Sequence, residues 1–357
     1  MFITNRNNLW FTSAGIVVFT LLLACTDKAV AQDIHFSHQE YSPQLLNPAL
    51  TGADYELKMA LVTRSQWNAL SSPYKTMNAS FDKRLGIIKN EKKGFLAAGG
   101  NLFYDRTGDG KLSTATISLS FASHVFLDSK NLLGSALYAG IGQRHFNNGD
   151  LTWSNQFTGA GFDPSVSPGE NFNSESFLFA DLGAGVVYSF VPGGKYFMNS
   201  DAMHVNAGLA AFHVNSPDYS FLSASDEKLY MRYSAFANGL FQFKKSALGI
   251  MPGIYYTSQG PSQEILFGSY LRFSLLGIAP ESSLMNKMSY VSVGIFHRLH
   301  EALVTKILYE WLDYSLGAGY DLNLKSLSNF SGRKDGFEIL FQYTPKKNKG
   351  RYNLRKS

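Results

Sequence analysis

Between residues 55 and 343 the charged side chains keep to one parity of many short alternating segments, and this restriction narrows the possible folds most. Along 58–67, Met59, Leu61, Thr63, Ser65 and Trp67 alternate with Lys58, Ala60, Arg64 and Gln66. Along 178–188, Leu178, Ala180, Leu182, Ala184, Val186 and Tyr188 oppose Asp181, Gly183 and Gly185. Lys228, Arg232, Ser234 and Asn238 oppose Leu229, Met231, Tyr233, Ala235 and Ala237, and Glu264 and Arg272 oppose Ile265, Phe267, Leu271 and Phe273. Lys306 and Glu310 oppose Ile307, Tyr309 and Trp311, and Glu338 opposes Phe337, Ile339, Phe341 and Tyr343. A strand turns successive side chains to opposite faces, so each segment has one apolar face without charge. Val62, Tyr230 and Phe236 break the pattern by falling on the polar face. Strands of roughly 9–11 residues with lipid on one side and water on the other build a transmembrane β-barrel. A soluble sandwich or propeller would need a second sheet over every apolar face and leaves the shared parity unexplained.

The pattern predicts an all-β, antiparallel barrel of about fourteen strands. They are expected near 55–67, 74–82, 94–104, 112–125, 132–144, 177–190, 202–213, 228–241, 246–257, 263–274, 289–298, 302–310, 313–321 and 336–343. An even count returns the chain to its starting side, so both termini are expected in the periplasm. The long links 145–176, 214–227 and 322–335 then lie outside the cell, and the first of them is acidic. Lys58, Arg64, Asp181, Arg232, Glu264, Arg272, Lys306, Glu310 and Glu338 are expected in the lumen. Their mixed signs point to ion pairs rather than a selectivity ring. Tyr255, Tyr256, Tyr309, Trp311, Tyr314, Tyr320 and Tyr343 read as interfacial girdle residues. Arg at Leu182, Val205 or Ile295 should be costly, whereas Gly183, Asn206 and Gly294 should tolerate polar replacements.

Ahead of the barrel, 1–31 reads as a signal peptide: Arg6, an apolar run from Ala14 to Ala24, and Ala29-Val30-Ala31 before Gln32. The run is too short to span a bilayer as a helix. Leu22-Leu23-Ala24-Cys25 is a looser lipobox-like alternative, which would leave Cys25 lipidated. Cleavage after Ala31 removes the chain's only cysteine, and with it any disulfide or cysteine metal site. Residues 32–54 form a periplasmic or plug segment, 55–343 the barrel and 344–357 a basic periplasmic tail.

The chain carries a net charge of +5, of which the signal contributes +1 and the tail +6, leaving the body 32–343 at −2. The tail residues are Lys346, Lys347, Lys349, Arg351, Arg355 and Lys356, a candidate docking site for a partner if not simply a solvated extension. An exported body without a basic stripe is not a nucleic-acid binder. No catalytic or metal site is expected. His297-Arg298-Leu299-His300-Glu301 lacks the H-E-x-x-H spacing, and its two histidines would point to opposite faces of a strand. His35 and His38 with Glu40 are no stronger. Asp105 to Lys111 lacks calcium-loop spacing and reads as an Asp-Gly turn. No G-x-S-x-G setting activates a serine. No cofactor is implied.

Several motifs then line up in order. Gln32-Asp33-Ile34-His35-Phe36-Ser37-His38 leads to Asn47-Pro48-Ala49-Leu50-Thr51-Gly52, followed by Arg64-Ser65-Gln66-Trp67 and by 74–82. They resemble the Q-D-P-H-F-S-Q, N-P-A-x-x-G, R-x-Q-W and Y-x-T-x-x-A-S-Y-D of the PorP/SprF family, with Ile34, His38 and Phe81 departing from it. Weaker similarities continue at 208–217, 252–260, 319–322 and 336–339. The resemblance implies an outer-membrane barrel of the type IX secretion system. Its implied partners are periplasmic ring lipoproteins and a secreted cargo such as an adhesin, with outer-membrane lipid around the barrel. A porin or small-solute channel is the alternative, and an outer-membrane hydrolase a more distant one. Phe36, Ser37, Asn47, Pro48, Ala49 and Gly52 read either as a turn into the first strand or as a plug held by Arg64 and Gln66. Trp67 reads as an interfacial anchor.

Overall fold

The structure, a computed structural model of the chain, describes residues 33–67, 72–85, 94–108, 110–147, 149, 151–159, 161–167, 169, 175–191, 203–221, 227–243, 246–275, 289–324 and 334–345. The expected signal peptide and the six basic tail residues lie outside this set. Fourteen antiparallel strands close into a barrel in sequence order, with β1 beside both β2 and β14. They are β1 (Leu57–Gln66), β2 (Tyr74–Leu85), β3 (Gly94–Thr107), β4 (Leu112–Phe126), β5 (Asn131–His145), β6 (Ser176–Phe190) and β7 (Met203–Phe212). The circuit continues through β8 (Arg232–Gln242), β9 (Leu248–Gln259), β10 (Ser262–Ser274), β11 (Ser289–Arg298), β12 (Ala302–Trp311), β13 (Tyr314–Asn323) and β14 (Lys334–Tyr343).

The two-residue period decides which side each residue faces. Lys58, Arg64, Asp181, Glu264, Lys306 and Glu338 are all buried within the barrel, while Leu137, Leu178, Leu182, Leu209 and Ile295 stand on its outer wall. Leaving one such apolar side chain in water costs roughly 1.5–3 kcal/mol, which lipid contact removes. Arginine at Leu182 or Ile295 is therefore expected to lower folding stability by about 2–4 kcal/mol near the midplane. The control is Thr116→Lys on the inner wall, which should shift the urea midpoint of the folded band far less. Gly183 and Gly294, expected to tolerate polar side chains, do face inward but have no room. A Cβ on Gly183 would lie 2.8 Å from the Ala211 carbonyl oxygen, and one on Gly294 2.6 Å from the Tyr270 ring.

β1 starts and β14 ends at the same rim, called here the terminal rim; β1 runs up to the far rim. On the outer wall near the terminal rim, Tyr309, Trp311, Tyr314 and Tyr343 form a chain of ring contacts, with centroids 5.0 to 5.8 Å apart. This is the expected girdle. Tyr255 does not belong to it: its ring is buried in the lumen and its hydroxyl accepts from Asn238 Nδ2 at 3.5 Å.

Residues 33–54 run through the lumen and pack against its wall. Leu46, Ala49, Leu50 and Ala53 share a core with inward residues of the wall, among them Phe236, Leu266, Tyr270 and Val304. Phe36 packs with Val62, Leu308 and Leu340. Val62 and Phe236 thus broke the polar parity because they face this segment rather than water. Tyr230 is exposed and precedes β8, which begins at Arg232 rather than at 228. In its place, Tyr219 N–H donates to the Glu227 carbonyl at 2.8 Å and Leu229 N–H to that of Pro217 at 2.9 Å, folding the β7–β8 link back on itself.

The segment also crosses the barrel. Asp33 meets His213, Arg232 and Gln259, all at the far rim. Gly52 and Asp54 meet Asp82, Arg84 and Asn206 near the terminal rim, where β1 begins. The strand count does place the start of β1 and the end of β14 together. It does not place the chain ahead of β1, because that segment has traversed the lumen, so Asp33 and Tyr343 lie at opposite ends. The two ends of the chain itself, 1–32 and 346–357, lie outside the described residues, so the expected periplasmic placement of both termini is not decided by the strand count.

Candidate functional site

The contacts of the lumenal segment with the wall centre on Ser37. Its hydroxyl donates to Asp321 Oδ1 at 2.7 Å and accepts from Arg64 Nη1 at 2.8 Å and Arg298 Nη2 at 3.0 Å. Arg64 also binds Asp321 Oδ2 at 2.7 Å and Glu338 Oε1, while Arg298 Nη1 reaches Asp321 Oδ2 at 2.9 Å. Glu338 accepts from the backbone N–H groups of Ser37 and His38 and lies 3.1 Å from His38 Nδ1. Two guanidinium and two carboxylate groups, none more than 2 % exposed, therefore balance in charge around one hydroxyl. Burying such ions is tolerable only with near-complete pairing and hydrogen bonding, which this arrangement supplies. Arg64 and Glu338 are cross-strand partners at the β1–β14 junction, so the cluster also fastens the seam that closes the barrel.

Three further groups pin the segment. His35 Nδ1 lies 2.8 Å from Glu264, and Gln39 donates to the same carboxylate at 2.9 Å. At the far rim His213 sits between Asp181 at 2.9 Å and Asp33 at 2.7 Å, one on each ring nitrogen. Burial opposes a charge on that imidazole, but the two carboxylates outweigh it and raise its pKa to about 9. The same contacts, with Arg232, hold the Asp33 carboxyl below its ordinary range against burial. Midway, Glu40 accepts from Tyr270 at 2.6 Å and from Lys306 at 3.3 Å.

Toward the terminal rim the wall provides seats without side chains. Asn47 Nδ2 donates to the carbonyls of Val186 at 2.9 Å and Leu209 at 3.0 Å, while its Oδ1 accepts from Ala49 N–H at 2.8 Å. A Cβ on Gly185 would come within 2.1 Å of Asn47 Oδ1, and one on Gly208 within 2.7 Å of its Nδ2. Gly99 makes the same allowance for Gln44, and Gly319 for His38. Pro48 starts a short 3-10 turn over Pro48–Leu50, its fixed φ and missing N–H suiting that first position. Gly52 takes φ +68, donates to Asp82 Oδ1 at 2.9 Å and accepts from Arg84 at 2.6 Å.

Most residues named from sequence thus converge. Phe36, Ser37, Asn47, Pro48, Ala49 and Gly52 belong to the plug, and Arg64 anchors it. Gln66 does not: among the described residues it makes no hydrogen bond to the segment. Trp67 leaves β1 in a left-handed conformation, φ +53, where strand parity no longer applies, and packs on Tyr74 at 4.5 Å. Arg298, Asp321, His38 and Glu40 were not named as plug anchors. Arg298 and Asp321 lie on the inward parity of β11 and β13, the one sequence signal that marks them. His35, Glu264 and Glu301 bring ligand-type atoms within 4.8 Å of one another. Arg298 Nε already lies 3.6 Å from Glu264 and 3.8 Å from Glu301, so this trio reads as an ion-pair cluster.

Comparison with solved structures returns outer-membrane barrels of low similarity. BamA from Haemophilus ducreyi lacking POTRA domains 1–3 is 10 % identical with a TM-score of 0.40, over 81 % of this chain and 70 % of that one. The P. putida toluene transporter TodX is 10 % identical with a TM-score of 0.40, over 83 % and 90 %. The translocator domain of autotransporter NalP from Neisseria meningitidis is 11 % identical with a TM-score of 0.37, over 93 % and 97 %. No curated protein sequence matches. The family described as type IX secretion system membrane protein PorP/SprF matches residues 29–343, which takes in both the plug and the whole barrel. The chain belongs to the PorP/SprF family of outer-membrane barrels of type IX secretion.

Proposed function

We propose that this barrel acts in type IX secretion by protein–protein contact, without enzymatic chemistry and without conducting small solutes. The observation that carries this reading is the lumen: residues 33–54 cross it, fill its core with apolar side chains and tie themselves to the wall through buried ions. A porin needs a continuous aqueous path, and a plugged barrel leaves its two rims as working surfaces. With the terminal rim in the periplasm, β1, β14 and the tail face the secretion machinery and its ring lipoproteins. The far rim then faces cargo such as an adhesin.

Two measurements test this. Purified protein in planar bilayers should show no steady single-channel conductance; stable open channels would favour the porin. Removal of 344–357 should leave the barrel folded, since the last strand ends at Tyr343. It should also reduce recovery of periplasmic ring lipoproteins in pull-downs in a salt-dependent way. Recovery unchanged at low salt would make the tail a solvated extension.

A further inference from the structure

Above the plug a cavity of 1470 Å³ opens toward the far rim, and its wall carries two opposite charges that do not meet. Asp105 on β3, Thr114 on β4 and Arg144 on β5 are consecutive partners in one cross-strand row, all facing inward. Asp105 is 5 % exposed and receives a hydrogen bond from Thr76 Oγ1 at 2.8 Å. Among the described residues no cation pairs with it. Arg144 makes no ion pair or hydrogen bond among them either. Its guanidinium lies 4.3 Å over the Tyr219 ring, and its Nε is buried without an acceptor. Thr114 sits between the two charges in that row and lines the cavity with Tyr219. Of the other charged residues lining it, Asp181 pairs with His213 and Arg232 with Asp33 of the lumenal segment, while Glu227 and Lys228 border it from the β7–β8 link. Asp105 is buried and Arg144 half-buried, resting on the Tyr219 and Phe221 rings. Charges held away from bulk water are normally paired, so a carboxylate and a guanidinium left apart in one cavity point to a ligand carrying both complements.

We propose that this cavity receives an extended segment of a partner polypeptide, offering a Lys or Arg side chain to Asp105 and an Asp or Glu side chain to Arg144. The cavity exceeds the roughly 300–1,000 Å³ typical of small-molecule sites. Residues of the plug, Asp33, Ile34 and Leu45, line it, so it is a recess bordered by the lumenal segment. A closed barrel has no free strand edge, so recognition falls to side chains rather than to strand addition. The two charges stand two strand spacings apart, about 9.6 Å between backbones. Residues i and i+2 of an extended chain share a face and lie about 7 Å apart, so the cation and the anion should be separated by one residue. Tyr74 and Phe103 also line the cavity and add aromatic surface to it. The proposal rests on the reading of this barrel as a protein-handling component and adds the site and the chemistry of what enters it.

The test uses the full mature chain in detergent and four acetylated, amidated octapeptides: one with Lys-x-Glu at its centre, one with Lys only, one with Glu only and one with neither. The Lys-x-Glu peptide should bind at least tenfold more tightly than the others. Asp105→Asn should remove the advantage of lysine, and Arg144→Gln the advantage of glutamate. Both variants should keep the heat-modifiable mobility of the folded barrel; if either misfolds, the comparison among the four peptides on the unaltered chain decides. Equal binding of all four, or no binding, overturns the proposal. Neither result bears on the secretion reading, which is tested separately by conductance and pull-down.

Discussion

Arg64→Ala is expected to destabilise the folded barrel by about 3–5 kcal/mol, the range for removing one partner from a buried ion pair. Arg64 is the only residue to touch Ser37, Asp321 and Glu338 from β1. Without it, Glu338 keeps only His38 and two backbone N–H groups, and Asp321 keeps Arg298 and Ser37. One uncompensated negative charge then remains in a region closed to water. Lysine should recover only part of the loss, because an ammonium cannot span two carboxylates and a hydroxyl in the planar geometry of a guanidinium. The paired change Arg64→Met with Glu338→Leu removes both charges and should be far milder than Arg64→Ala. Urea titration of the heat-modifiable band would rank the variants. The same change should loosen the plug, so Arg64→Ala is also expected to show channel openings that the unaltered protein lacks. An unchanged midpoint and a silent bilayer would mean that the plug is held without this cluster.

The barrel was legible in the sequence because a two-residue period is a local property. Lys58 through Arg64 declare their faces without reference to the rest of the chain, and the segments at 178–188, 264–273, 306–311 and 337–343 do likewise. What was not legible depends on closure. Ser37, Arg64, Arg298, Asp321 and Glu338 become neighbours only when β14 reaches β1 and the lumenal segment lies between them. Gly99, Gly185, Gly208 and Gly319 look in sequence like ordinary strand glycines, and only the plug side chains seated against them give a reason for each. Tyr255 passed for a girdle residue because aromatic content alone does not say which wall a ring faces. The start of β8 was misplaced because Leu229 and Tyr230 alternate correctly for a strand, while the backbone there belongs to a folded link.

The path of 33–54 is likewise invisible to strand counting, and it leads to an all-or-none result. Asp33 is fixed at the far rim by the Asp181–His213 pair, by Arg232, and by Gln259, whose Oε1 accepts its N–H at 2.6 Å. Gly52 is fixed near the opposite rim by Asp82 and Arg84. A chain of this length reaches roughly 3.3 Å per residue when extended, enough to cross a bilayer core of about 30 Å even with its turns. If the tail side is periplasmic, an epitope placed between Ala31 and Asp33 should bind antibody on intact cells. An epitope in the β5–β6 link should do the same, and one after Tyr343 should bind only once the outer membrane is permeabilised. Because the cluster around Ser37 also bridges the β1–β14 seam, the crossing is built into closure and should persist in the folded protein. Protection of the first epitope on intact cells, with the β5–β6 epitope accessible, would place Asp33 on the periplasmic side and refute the crossing.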